Sequence, residues 1–409
     1  MSLNFNFPAN TTAPVPFTIS VNETFISQTI AKAGLYRPSI DLLDESNANW
    51  IEGPPRANMS ALADYWANDY DWFTEQDYIN GNFSHFAITV PETPKWKHPT
   101  PLHFIHERAD DDDALPLLLL HGWPSTSQEW RKVIEPLVSP LDPALSGHHV
   151  VAPDLPGFGF SPAPEYSGLS PVALAGVLDA FMAQLGYDKY GVVSTDLGWW
   201  VGMWMVDAVP KGRIAGHFCD FFLVPPNSTD LERYQKNETT AAETKYIASN
   251  QAWYNEHTGY QHVQTQQPLS IGQAMADSPV GFAGWIWQLM FSVSDGYPYT
   301  FDEIITTALT LFIQGPWGNM RYYKELFTPE AMNFPQTKIP TGVSQWAIGD
   351  ENVPFPELAN FNFVPKDWIE RLANVRKIYR HDAGGHFPAV NLPQDWTADV
   401  LDFFSHYVQ

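Results

Sequence analysis

Cysteine is almost missing from this chain of 409 residues. The single Cys219 excludes an intrachain disulfide and any zinc site of the Cys-rich kind. It lies in the apolar run Gly216 to Leu223, which predicts a buried structural thiol. Basic residues are also scarce, 22 Lys and Arg against 46 Asp and Glu, giving a formal charge of -24. A field of that sign repels phosphate backbones and anionic lipid heads, so nucleic acid is excluded as an expected partner. The acidic run Asp110–Asp113 lacks the glycine and the downstream glutamate of an EF-hand loop and reads as a solvated turn. No apolar run approaches the roughly 18 residues of a transmembrane helix. Met1 to Pro16 carries neither a basic n-region nor an apolar h-region, so no secretory leader is read. The expected location is cytoplasmic, or secreted if a leader has been removed.

What is present suits a large globular enzyme. Hydrophobic residues make up 44%, enough to bury a core, and the 16 tryptophans fit either an aromatic core or an aromatic-lined pocket. A helical pattern runs from about Asn58 to Tyr70, and strands are expected at Phe83–Val90 and Leu102–His106. From there short apolar runs alternate with helical patterns. Strands are read at Leu115–Leu120, His148–Ala152, Tyr190–Thr195, Ile214–Val224, Thr341–Ile348 and Val375–Tyr379. Helices are read at Val172–Leu185, from about Gly198, and at Asp395–Tyr407. That alternation predicts an α/β fold with a mostly parallel sheet flanked by helices. The aromatic-rich, helix-like stretch from Pro225 to Gln336 breaks the rhythm and is expected to form a cap over the strand ends. The expected organisation is an arm over 1–98, a core over 99–225 and 337–409, and a cap over 226–336.

Four motifs fall in a fixed order on this frame. Ser194-Thr195-Asp196-Leu197-Gly198 places an acid between small residues where a strand meets a helix. A nucleophile at such a turn is held in strained backbone and projects above the sheet. An N-capping aspartate is the plainer reading of that motif alone. His121-Gly122-Trp123-Pro124 follows a buried strand and can aim the N–H groups of Trp123 and Leu197 at a developing oxyanion. Ala383-Gly384-Gly385-His386-Phe387 can carry an imidazole back over the sheet edge. Asp350, directly after a strand, is the candidate to orient that imidazole, with Glu357 and Glu351 as alternatives. No Gly-X-Ser-X-Gly elbow occupies the nucleophile position, which argues against a serine esterase.

With these motifs the chain resembles the epoxide hydrolases of the microsomal type over nearly its whole length. The match includes the N-terminal stretch Tyr65–Trp72, the Asp154–Ser161 segment and Gly384-Gly385-His386-Phe387. Within the cap, Gly259-Tyr260-Gln261 and Arg321-Tyr322-Tyr323 are similar to the segments that carry the family's two ring-opening tyrosines, which implies Tyr260 and Tyr323. Departures are Leu197, where a tryptophan is usual, Ser125, where a glycine commonly follows the oxyanion motif, and Gln267 before Pro268.

The resemblance implies an α/β-hydrolase fold with an N-terminal arm. It also implies an enzyme that opens a small hydrophobic epoxide with water through an ester on Asp196, with His386 as base and no cofactor or metal. Rivals on the same fold are a haloalkane dehalogenase, an epoxide-opening cyclase or isomerase, and a catalytically silent binding protein. A homodimer is left open.

Overall fold

The computed structural model describes residues 3–8, 11–42, 47, 50–349 and 355–408. Among the described residues nine strands form one sheet: β1 (Val15–Pro16), β2 (His85–Val90), β3 (Thr100–Glu107), β4 (Leu117–Leu120), β5 (Val150–Pro153), β6 (Tyr190–Ser194), β7 (Ile214–Cys219), β8 (Pro340–Ala347) and β9 (Asn374–Gly384). Their spatial order is β1-β2-β3-β5-β4-β6-β7-β8-β9. From β5 to β9 all neighbours are parallel, while β1, β2 and β3 add an antiparallel flank that joins β5.

β4 shows why the run of leucines makes a central strand. Its side chains alternate between the two faces of the sheet. Leu118 and Leu120 enter one hydrophobic cluster, and Leu117 and Leu119 enter the other. Both faces are covered by helices, so no polar alternation is needed. Burying each such leucine contributes about 1.5–3 kcal/mol. Cys219 is buried on β7, as expected, and Asp110–Asp113 forms an exposed turn.

The expected strand Ile214–Val224 ends early. Pairing stops at Cys219, and Asp220 to Val224 leaves the sheet while staying buried. An apolar run signals burial, and here its second half is buried against the helices that follow. Those helices lie between β7 and β8, from Ser228–Gln235 to Pro329–Met332, with Pro279–Val293 and Phe301–Phe312 the longest apolar pair.

The first hundred residues contain two helices that the periodicity left unread, Glu23–Gly34 and Trp72–Asn82. The arm braces this inserted helical layer. Trp50 stacks on Phe291 at 4.0 Å and meets Trp287 edge-on at 4.8 Å. The Tyr70 hydroxyl lies 2.9 Å from Thr306 Oγ1, and the Tyr65 hydroxyl donates to Asp302 Oδ2 at 2.9 Å.

A buried polar chain ties the arm to the parallel sheet. Asp154, just past β5, takes hydrogen bonds from Ser127 N–H and Phe160 N–H, each at 2.8 Å, and pairs with His103 Nδ1 at 2.7 Å. His103 Nε2 lies 2.9 Å from His85 Nδ1, and His85 Nε2 faces the Ile79 carbonyl at 3.1 Å. Burial alone would raise Asp154, but His103 and the donors around it hold the carboxyl at about 2.

Asp154→Ala leaves buried donors unpaired and is expected to cost about 3–5 kcal/mol, read as a lowered denaturation midpoint. The folded carboxyl sits below its unfolded value of about 3.9, so its contribution is full above that pH and lost as pH falls toward about 2. Acid titration of stability should therefore be shallower in Asp154→Asn than in the parent between those limits.

Candidate active site

β6 ends at Ser194, and the helix Asp196–Ala208 starts two residues later. Asp196 stands at φ +42, the left-handed region, which costs a non-glycine residue about 1–3 kcal/mol. Glycines on either side allow the turn. A Cβ on Gly198 would lie 2.2 Å from the Leu120 carbonyl oxygen, and one on Gly122 would lie 2.3 Å from Asp196 Cβ. The motif's small residues are thus required by contact with the neighbouring strand end.

The turn after β4, His121 to Pro124, reaches the same carboxylate. Trp123 N–H donates to Asp196 Oδ1 at 2.8 Å. Leu197 is buried beside it, but no hydrogen bond joins its N–H to Asp196. His121 fixes the turn from behind. Its Nε2 accepts from Leu155 N–H at 2.9 Å, which leaves Nδ1 to donate to the Gly122 carbonyl at 2.9 Å. Burial lowers its pKa, consistent with that neutral tautomer.

His386 Nε2 faces the other oxygen, Asp196 Oδ2, at 3.5 Å. The histidine loop needs left-handed backbone at Gly384 (φ +111) and Gly385 (φ +68). Gly385 N–H donates to the Ala347 carbonyl at 2.9 Å, and His386 N–H to the Val293 carbonyl at 2.7 Å. Gly384 N–H donates to Asp295 Oδ2 at 2.8 Å. Phe221 and Phe387 hold the imidazole edge-on at 5.5 and 4.9 Å.

Tyr260 and Tyr323 come from separate helices, Gly259–Gln266 and Tyr322–Leu326, and meet over this carboxylate. Tyr260 stacks on Trp123 at 5.3 Å, and Tyr323 stands edge-on to it at 5.7 Å. The Trp123 indole N–H donates to Asn319 Oδ1 at 2.9 Å, fastening the oxyanion turn to the inserted helices. Burial raises both phenols, helped next by Asp196 at Tyr260 and by Tyr260 and then Asp196 at Tyr323, so they persist as O–H donors. A cavity joins Asp196, His386 and both tyrosines, with walls that include Trp200, Phe221, Trp253, Tyr254, Phe327 and Phe361. Tryptophan therefore serves both core and pocket, since Trp66 and Trp72 are fully buried elsewhere.

The acid is less simply placed. Asp350 and Glu351 lie outside the described residues. Glu357 does not join His386. The short 3-10 turn Pro356–Leu358 docks on the inserted helices, where Ser249 Oγ donates to the Glu357 carbonyl at 2.6 Å. Its carboxylate meets His257 Nε2 at 2.9 Å, with Glu256 nearby. Two other buried acids flank the site unannounced. Asp220 follows Cys219, which is paired with Ser194, so it emerges beside the nucleophile turn. Burial pushes Asp220 up to about 6, while Thr195, the Trp396 indole (2.6 Å to Oδ2) and His386 pull it down. Glu129, raised well above its usual range by burial and then by Asp220, lies behind the turn at Gly122 and Ser125. A charged residue inside the apolar run Gly216–Leu223 was the one signal for Asp220; Glu129 gave none.

This geometry can support attack by a carboxylate, donation of two phenol hydrogens, and deprotonation of water by an imidazole. Comparison with known proteins agrees on the class. The epoxide hydrolase N terminus family matches residues 14–130, and the alpha/beta hydrolase fold family matches residues 116–206. A protein of Stigmatella aurantiaca named "Putative epoxide hydrolase" is 30% identical over 404 residues, covering 95% of this chain and 84% of that one. The juvenile hormone epoxide hydrolase of Bombyx mori is 27% identical over 409 residues, covering 94% and 84%. Among solved structures, the epoxide hydrolase of Aspergillus niger superposes with a TM-score of 0.80 at 21% identity, covering 99% of this chain and 100% of that one. The fold is that of the α/β hydrolases. The chain belongs to the epoxide hydrolase family. No helix among the described residues is long and apolar enough to cross a membrane.

Ultraviolet difference titration checks the tyrosine environment. Tyr260→Phe and Tyr323→Phe should remove no phenolate absorbance below about pH 11, whereas a surface tyrosine titrates near 10. Loss of signal near pH 10 in either variant would contradict the buried, protonated pair.

Proposed function

We propose that the protein hydrolyses a hydrophobic epoxide to a vicinal diol through an ester on Asp196. The observation that carries this reading is the convergence of Asp196, His386, Tyr260 and Tyr323 on one aromatic-lined cavity. An Asp196 oxygen attacks an epoxide carbon, and the carbon–oxygen bond of the ring breaks. The tyrosines hydrogen-bond the ring oxygen, and one gives it a proton, because an unassisted alkoxide is a poor leaving group. Water then loses a proton to His386 Nε2 as its oxygen bonds to the ester carbonyl carbon. The oxyanion is held by Trp123 N–H. Collapse releases the diol oxygen, which takes the proton from His386. The carboxyl proton returns through solvent to the tyrosinate, restoring the starting state.

The acid that orients His386 is assigned to Asp350, with Glu351 as the alternative. The arrangement around the site does not favour Glu357, which is engaged by His257. The tyrosine pair speaks for epoxides over haloalkanes, because a halide needs N–H donors there and no proton. The relatives are named epoxide hydrolases, one of them for juvenile hormone, which supports an epoxide substrate of apolar character.

Rapid-quench assays with styrene-type, terpenoid and fatty epoxides test the reading. His386→Gln should accumulate an adduct on Asp196, seen as an intact-mass increase equal to one epoxide. Asp196→Ala should form no adduct and no diol. Removing both phenols should slow adduct formation by about 10²–10⁴-fold. Diol formation by Asp196→Ala at the parent rate would overturn the proposal. Adduct formation followed by an internal ether product would favour a cyclase.

A further inference from the structure

A second cavity backs onto the first. The two share the same segments at consecutive residues: Leu289 and His386 line the first, Met290 and Phe387 the second. The second cavity runs inward from Arg131, Lys132, Glu303 and Thr307. Its inner wall is Pro124, Ser125, Glu129 and Phe387, directly behind the oxyanion turn and the histidine. The first cavity is walled largely by aromatic rings. The second combines hydroxyl, carboxyl, amide and cationic side chains with the apolar Pro124, Met290, Phe387 and Val390.

The polar groups at the inner end are also unspent. Glu129 is 3% exposed. It lies near the Ser125 hydroxyl and Gly122, yet neither of its carboxyl oxygens gains a hydrogen bond of good geometry within the protein. The same holds for both polar atoms of the Gln128 amide. Buried groups in that condition are ordinarily satisfied by ordered water, each water making about three hydrogen bonds. Burial raises the Glu129 carboxyl well above its usual range.

The covalent route creates a need that this cavity meets. Once an apolar group is esterified to Asp196, it fills the aromatic cavity and excludes water from that side. Hydrolysis still requires one water at His386. We propose that the cavity between Glu303 and Ser125 is a water inlet, separate from the substrate's entrance, in which Gln128, Glu129 and Ser125 hold and position the water that hydrolyses the ester. Ser125, the departure from the glycine common after the oxyanion motif, becomes a water ligand at the inner end of the inlet. These are positioning residues; the bonds made and broken are those of the ester step above. The inference rests on the covalent reading.

The test separates formation of the ester from its decay in single-turnover rapid quench, with intact mass as the readout and styrene oxide as the probe. Thr307→Phe plugs the outer part of the inlet, Glu129→Gln alters its inner wall, and Ser125→Gly is a milder change that keeps the family's usual backbone. Formation should stay within about twofold of the parent, and decay should slow by about tenfold in the first two and measurably in the third, so that ester accumulates. Far-ultraviolet circular dichroism identifies any variant that fails to fold, and Ser125→Gly then carries the comparison. Ester decay unchanged in the folded variants, or formation and decay falling together, would overturn the inlet and leave the covalent reading standing. A parent enzyme that never forms ester would overturn both.

Discussion

The left-handed backbone of Asp196 is the constraint on which the site is built. β6 and its following helix meet so tightly that Gly198 lies against the Leu120 carbonyl and Gly122 against Asp196 itself. That crowding lifts the carboxylate to the sheet edge and delivers it to the Trp123 N–H. A relaxed turn would point the same aspartate at its own helix as an ordinary cap. The strain is sustained by the rest of the fold: the two-faced leucine strand beneath, and His121 locking the oxyanion turn between Leu155 and Gly122.

A second level of support comes from far away in sequence. Asn319 takes the Trp123 indole N–H, and Val293 takes the His386 N–H, so both halves of the site are fastened to the inserted helices. Those helices are braced by the arm through Trp50, Tyr65 and Tyr70. The arm is held to the sheet by the His85–His103–Asp154 chain. Position of the tyrosines over Asp196 thus depends on residues throughout the chain, which is why the arm and the core are one folding problem.

Much of this was legible in the residues. The parallel strands announced themselves as short apolar runs because both faces of the sheet are covered. Asp196, His386, Tyr260 and Tyr323 were found through motif order and family resemblance, and the structure brings them to one cavity. What escaped reading was set by long-range contact. Leu120 and Asp196 shape the need for two glycines, but the pattern alone could not say which atoms collide. Glu357 looked equivalent to its neighbours until the 3-10 turn carried it to His257. The end of β7 was hidden because an apolar run reports burial and not pairing. Glu129 was invisible because its burial is completed by Asp220 and the inserted helices, both far from it in sequence.

In the proposed covalent route a carboxylate oxygen of Asp196, and not water, makes the first bond to the substrate. Single turnover of excess enzyme in heavy-oxygen water tests it most directly, with mass spectrometry of both diol and the peptide that contains Asp196. The covalent route adds an unlabelled oxygen to the first-turnover diol and leaves label in the Asp196 carboxylate. Full label in that diol, with none in the peptide, would contradict it.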